Sequence, residues 1–268
     1  MYTVLAQIVS EETGLPYDRI EVTLGDSSLP AGPIAGGSMA TGSVVPAVLQ
    51  AIKNAKKKLF SAAVISPASP FKGQQEDKLK FENGNIKDGK SSMAFGSLLK
   101  KVNMSAAAGH GSAKGTFGDP NEKFTTQSFG AQFVEIGWQP DIARLRVHRV
   151  VSVIDAGRII NYQPALNQIE GAIVMGVGMG FFEKAEFDER YGNPVNSNLA
   201  DYVMSVHADC PDIDVTFLDY PDKAINAYGA RGVGEIGLAG MASALCAAVY
   251  HATGKRIREL PVKIEDLI

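Results

Sequence analysis

Two alternating runs, Ser128-Phe129-Gly130-Ala131-Gln132-Phe133-Val134-Glu135-Ile136 and Ala143-Arg144-Leu145-Arg146-Val147-His148-Arg149-Val150-Val151-Ser152-Val153-Ile154, flank Gln139-Pro140-Asp141. Apolar residues recurring with a period of two mark strands, and a short proline-bearing break between two such runs closes them into an antiparallel hairpin. That hairpin constrains the fold more than any other feature of the chain.

Around it the periodicity is mostly helical. Val4, Leu5, Ile8 and Val9 fall at helical spacing, with Gly14 and Pro16 as stop signals. Ile20-Glu21-Val22-Thr23-Leu24 alternates and predicts a short half-buried strand before Gly25-Asp26-Ser27-Ser28. A loop of small residues over 30–43 leads into a helix marked by Val44, Val45, Val48, Leu49 and Ile52 and continuing toward Leu59. Residues 67–121 predict a small hairpin and a short helix. Further on, the pattern predicts a glycine-punctuated helix from Pro164 to Phe182, a strand from Val215 to Leu218, and a final helix ending at Gly254. Helices and antiparallel strands without regular alternation point to an α+β layered architecture.

Composition narrows the function classes. With 268 residues, 45% hydrophobic and 21% charged, the chain reads as an ordinary globular protein of one or two domains. A net charge of -3 and the lack of any cationic block beyond Lys56-Lys57-Lys58 argue against nucleic acid. No apolar run is expected to approach the roughly 18 residues a membrane span needs, and no signal peptide is recognised, so neither insertion nor export is expected. Two cysteines, Cys210 and Cys246, are too few for a disulfide framework or an iron-sulfur cluster, and the four histidines show no metal-ligand spacing. A reducing, cytoplasmic setting is expected.

Three stretches could carry chemistry. In Tyr228-Gly229-Ala230-Arg231-Gly232-Val233-Gly234-Glu235-Ile236-Gly237-Leu238-Ala239-Gly240 a single carboxylate sits among glycines at the start of an apolar helix. A helix start favours negative charge, so Glu235 reads either as a helix cap or as a general base, and both readings stay open at this point. In Pro33-Ile34-Ala35-Gly36-Gly37-Ser38-Met39-Ala40-Thr41-Gly42-Ser43, backbone N–H groups and hydroxyls at a helix start could cradle a phosphate or a polar heterocycle; a plain loop is equally consistent. In the third, Gly176, Gly178 and Gly180 fall inside a helical pattern, so Gly171, Gly176 and Gly180 read as close-packing positions, while Gln168 could face a pocket. A hydrolase triad of Ser38, His148 and Asp155 is rejected, because no Gly-x-Ser-x-Gly elbow frames a serine.

Taken in order, Tyr2-Thr3-Val4-Leu5-Ala6-Gln7-Ile8, Ala35-Gly36-Gly37-Ser38-Met39-Ala40-Thr41-Gly42-Ser43, Ser128-Phe129-Gly130-Ala131, Asp155-Ala156-Gly157-Arg158-Ile159-Ile160-Asn161, Gln168-Ile169-Glu170-Gly171 and Gly229-Ala230-Arg231-Gly232-Val233-Gly234-Glu235 resemble the large subunit of the molybdenum hydroxylases, the xanthine dehydrogenase and aldehyde oxidoreductase family. The C-terminal segments Asp214-Val215-Thr216-Phe217-Leu218-Asp219-Tyr220-Pro221 and Val249-Tyr250-His251-Ala252-Thr253-Gly254 look most like its bacterial aldehyde oxidoreductase branch.

The resemblance implies the fold of the second molybdopterin-binding domain, layered α/β sandwich subdomains with antiparallel or mixed sheets. It implies two intertwined subdomains, 1–125 with the cofactor loop at 33–43 and 126–268 with the glutamate loop at 229–240. It also implies a molybdenum ion held by a pterin dithiolene, in the cytosine dinucleotide form, with no metal ligand from this chain. Glu235 would be the catalytic base, taking the proton from the oxygen nucleophile that attacks an aldehyde or a heteroaromatic carbon. Ala35, Gly36, Gly37, Ser38, Met39, Gln168, Gly232 and Val233 would contact the cofactor, with Pro33 and Ile34 near the substrate.

The family's glycine-glutamine-glycine loop and first cofactor-binding half would precede Tyr2, where this chain has Met1. The implied partners are therefore that N-terminal half, an iron-sulfur subunit carrying 2Fe-2S clusters and an FAD subunit, and the chain alone is expected to turn over little or nothing. The competing expectation is a non-catalytic remnant or assembly scaffold that keeps the fold.

Overall fold

The computed structural model describes residues 1–113 and 127–268, and the chain forms two compact units, residues 1–125 with 222–230 and residues 126–221 with 231–268. The division expected between 125 and 126 lies outside the described residues. Segment 222–230 belongs with the first unit, where buried Tyr228 donates its hydroxyl hydrogen to Glu12 Oε1 at 3.3 Å.

In the first unit α1 (Tyr2–Thr13) buries Leu5, Ala6 and Ile8 and stops where Gly14 turns left-handed at φ 64°. The strand expected over 20–24 does not form: Ile20 is extended, but no other strand among the described residues pairs with the segment. Alternation alone cannot make a strand without a neighbour to take its backbone hydrogen bonds.

Helix α2 runs Ala40–Ile65, 26 residues, and overshoots the apolar pattern at both ends. Its first turn is made of small residues with no periodicity to reveal it, and Pro46 lies inside the helix, where it has no N–H to donate. β1 (Lys80–Glu82), β2 (Asn85–Lys87) and β3 (Ser92–Ala94) form an antiparallel meander where a single hairpin is expected. Strands of three residues are too short to display alternation. Together with α3 (Phe95–Lys101) they close a core of Leu59, Ala63, Phe71, Leu79, Ile86 and Leu98.

The second unit is organised by the expected hairpin. β4 (Phe129–Gln139) pairs antiparallel with β5 (Arg144–Asp155) from Phe129↔Asp155 to Gln139↔Arg144, with a bulge at Glu135/Ile136. After α4 (Tyr162–Phe181) the chain returns as β6 (Asp212–Phe217), parallel to β5, so the sheet is mixed and ordered β4-β5-β6. The inward residues Val150 and Ile154 pack with Ile169, Ile173 and Val177 of α4 and with Met241 and Leu245. The last two belong to α6 (Met241–Thr253), which follows the single turn α5 (Ile236–Ala239). The fold is thus α+β, two small sheets each backed by helices.

One expectation about length fails here. Ile236–Thr253 is an 18-residue stretch with mean hydropathy 1.4, long and apolar enough to cross a membrane by length and composition. One stripe of it packs in the core: the helix breaks at Gly240, and Met241, Leu245 and Val249 are fully buried at i, i+4, i+8 spacing, while the stretch as a whole is 22% buried.

Close packing of α4 on the C-terminal helices explains two of its glycines. A Cβ on Gly176 would stand 2.5 Å from Met241 Cβ, and one on Gly180 would stand 2.6 Å from Leu245 Cδ1. Gly171, expected to serve the same purpose, has nothing within 4 Å and lies exposed. It points away from the packed face, as a position out of phase with Gly176 and Gly180 must.

Candidate functional site

The loop carrying Glu235 is fixed from several directions within the second unit. Arg231 N–H donates to Ala156 O at 2.9 Å, extending the backbone order of β5 into the loop. The Arg231 guanidinium pairs with the Asp155 carboxylate, the side chains being only 8% and 18% exposed. Burial disfavours charge on Asp155, but the Arg231 hydrogen bond and the Gly157 N–H at 3.1 Å outweigh it and hold the carboxyl below the usual range.

Ser128 Oγ donates to Gly232 O at 2.5 Å, Gln132 Nε2 to Gly237 O, and Gln168 Nε2 to Gly234 O at 3.1 Å. Gly237 lets this loop sit flush on α4, since a Cβ there would approach Ala172 Cβ to 2.9 Å and Ile169 Cα to 3.1 Å. Val233 packs its side chain against the core.

Glu235 stands at the end of this clamped loop, exposed, and immediately precedes α5. Its side chain makes no capping hydrogen bond to that helix. Glu235 thus stands at the N-cap position without a side-chain capping bond, on a loop fixed by its neighbours.

The second set of candidates lies in the first unit. Gly37 and Ser38 both take positive φ, 59° and 58°, and Met39 N–H donates to Gly36 O at 3.2 Å, so Gly36 to Met39 is a tight turn with two left-handed central residues. Left-handed backbone at a serine costs about 1 kcal/mol, a strain that clusters at binding sites. The turn delivers the chain into α2, whose N-terminus has no side-chain cap. Pro33, Ile34 and Ala35 are exposed, Ile34 at 75%.

Backbone N–H groups at the start of an uncapped 26-residue helix, with the Ser38, Thr41 and Ser43 hydroxyls nearby in sequence, form a donor set suited to an anionic or heterocyclic group. Among the described residues no group of three or more His, Cys, Asp or Glu is placed to hold a metal ion.

Asp155, Arg231, Ser128 and Gln132 were not assigned roles from the sequence. Asp155 closes the apolar run 150–154 on a carboxylate, which demands a buried partner, and Arg231 is the one cation in the glycine loop. That complementarity was the available signal. The quoted motifs at 128, 155, 168 and 229–235 converge because three of them hold the fourth.

This chain belongs to the molybdopterin cofactor-binding domain family, whose model matches residues 1–211. The match ends before Glu235, but similarity to individual proteins covers the whole chain. It is 34% identical over 269 residues to the aldehyde oxidoreductase molybdenum-binding subunit PaoC of Escherichia coli K12, covering 100% of this chain and 35% of PaoC. It is 28% identical over 264 residues to the putative xanthine dehydrogenase molybdenum-binding subunit XdhA of the same strain, covering 97% of this chain and 34% of XdhA.

Among solved structures, quinoline 2-oxidoreductase from Pseudomonas putida 86 superposes over 99% of this chain and 34% of its own, with TM-score 0.82 and 19% identity. The Cu,Mo-CO dehydrogenase gives TM-score 0.81 at 21% identity over 99% of this chain and 34% of its own. These likenesses show the fold. The chain spans about a third of the length of the relatives it matches.

Proposed function

We propose that this chain supplies the base and part of the cofactor cradle of a molybdenum-dependent oxidoreductase acting on aldehydes. The observation that carries the reading is Glu235: an exposed carboxylate, not engaged in capping, on a loop immobilised by Asp155, Ser128, Gln132 and Gln168. A general base has to be held within reach of one proton, and a clamped loop gives that positional precision. The identity to PaoC along the whole chain favours aldehydes over heteroaromatic rings as substrate.

When bound, the molybdenum-pterin group supplies the two-electron oxidising centre, with water as the oxygen source. Glu235 Oε then accepts the proton of the oxygen nucleophile. Ala35, Gly36, Gly37, Ser38 and Met39 line the pterin or its phosphates beside the uncapped start of α2, whose first backbone N–H groups are the donors. Gln168, with its Nε2 committed to Gly234, offers its carbonyl oxygen as an acceptor. Gly232 and Val233 act through the backbone, because the Gly232 carbonyl is taken by Ser128 and the Val233 side chain by the core. Pro33 and Ile34 flank the substrate.

On this reading the cofactor is the cytosine dinucleotide form, the first cofactor-binding half lies elsewhere, and electrons leave through 2Fe-2S and FAD subunits. Two free cysteines suit a cytoplasmic enzyme. The test is to purify the chain in its assembly from the native host and measure molybdenum and pterin alongside aldehyde-dependent dye reduction. Stoichiometric molybdenum and pterin support the reading; an assembly without either sinks it and leaves a scaffold.

A further inference from the structure

We infer that the outer face of the β4–β5 hairpin is the docking surface for the part of the molybdenum-binding polypeptide that the relatives carry beyond the third matched here. The inference rests on the reading above, that the chain is one portion of a larger molybdenum-binding protein.

It starts from the strand sequences. An antiparallel sheet with one face to water alternates apolar and polar residues, whereas strands buried on both faces are apolar throughout. Val150-Val151-Ser152-Val153-Ile154 follows the second pattern except at Ser152, with Val151 and Val153 half-buried. One parity, Val150, Ser152 and Ile154, is buried toward α4 and α6.

Among the described residues, the helices that pack on this sheet do so on that first parity. Phe133 lies opposite Val151 and Ala131 opposite Val153, while Phe129 lies at the end of the ladder opposite Asp155. Phe133 is 65% and Phe129 58% exposed. Aromatic and β-branched side chains in register across two strands make a contiguous apolar surface of the kind that marks an interface. Its border is charged: Glu135 lies opposite Arg149, and Arg149 pairs with Asp214 on β6 at 3.2 Å in an exposed ion pair. An apolar centre with a polar rim is the anatomy of a stable protein contact.

The occupant follows from length. This chain accounts for 35% of PaoC and 34% of XdhA, so about two-thirds of such a polypeptide is not in this sequence, and layered folds cover both faces of an apolar sheet. The surface also reaches the candidate site. The Arg231 guanidinium lies 5.6 Å from the Phe129 ring centre, and Arg231 is the ion-pair partner of Asp155. A segment docked over Phe129 excludes water from that pair and stiffens the loop bearing Glu235.

Photo-crosslinking tests this. Benzoylphenylalanine is placed at Phe133, and separately at Ala131, in the enzyme produced in its native host. After irradiation the crosslinked peptides are sequenced. The expected product joins either position to sequence matching the region of PaoC-type polypeptides outside the third covered here, with no such product from a probe at Lys80 on β1. Crosslinks to a second copy of this chain, to another kind of subunit, or to nothing at either position overturn the inference. Molybdenum content separates the two claims: a loaded enzyme without the crosslink removes only the docking surface, and the crosslink in a molybdenum-free assembly removes only the proposed function.

Discussion

The Arg231 guanidinium and the Asp155 carboxylate form a half-buried ion pair that ties the loop carrying Glu235 to the last residue of β5. The strand end around Asp155 is held twice more, by Arg231 N–H donating to Ala156 O and by Gly157 N–H donating to the Asp155 carboxylate. The base is therefore positioned from a strand end as well as from the short helix it precedes, which Gln132 holds through Gly237 O.

Asp155→Asn leaves Arg231 without its counter-charge in a half-buried setting, and the loss is expected to cost about 1–3 kcal/mol. Urea unfolding of the variant is expected to show a lowered midpoint with an unchanged slope. A cost near zero would mean that the pair does not hold the loop.

The same pair sets an acid dependence. Because the folded Asp155 carboxyl sits below the usual range, its contribution to stability is complete above the unfolded value of about 3.9 and is lost as pH falls through the lower folded value. The stability gap between the native chain and Asp155→Asn is expected to narrow on acidification from pH 6 to pH 2, measured as the difference in unfolding midpoint. A gap constant over that range would contradict the assignment.

The glycines of α4 separate by packing. Gly176→Ala forces a methyl against Met241 Cβ and is expected to destabilise by about 1–3 kcal/mol. Gly171→Ala meets only solvent in mid-helix and is expected to be neutral or stabilising by up to about 1 kcal/mol. Thermal melts of the two variants read the contrast directly, and equal effects would remove the packing account.

Much of this was legible in the sequence, and the failures share a cause. The hairpin of β4 and β5, helices α1, α4 and α6, and the isolated acid at Glu235 were all visible because each is long or chemically unusual. Ile20–Leu24 misled because alternation reports a face to bury but not whether a neighbouring strand exists. The three-residue strands and the first turn of α2 carry too few apolar residues to show a period. Asp155 and Arg231 were each in view inside a motif, yet their partnership spans the interval from β5 to the glycine loop, and no local pattern reports a contact between distant segments.

The turn before α2 gives a separate prediction. Gly37→Ala places a methyl on a backbone at φ 59° and is expected to cost about 1–2 kcal/mol locally. In the assembled enzyme it should lower pterin content, measured by fluorescence of the oxidised pterin, more than it lowers the yield of folded protein. Unchanged pterin content with the same loss of stability would detach the turn from cofactor binding.

The central claim is that Glu235 is a base on a fixed mount. Glu235→Gln in the molybdenum-loaded assembly keeps the side chain's shape and removes its capacity to accept a proton. Steady-state aldehyde oxidation should fall by about 10² or more while molybdenum and pterin content stay at the native level. Turnover within a few-fold of native at full cofactor content would contradict it.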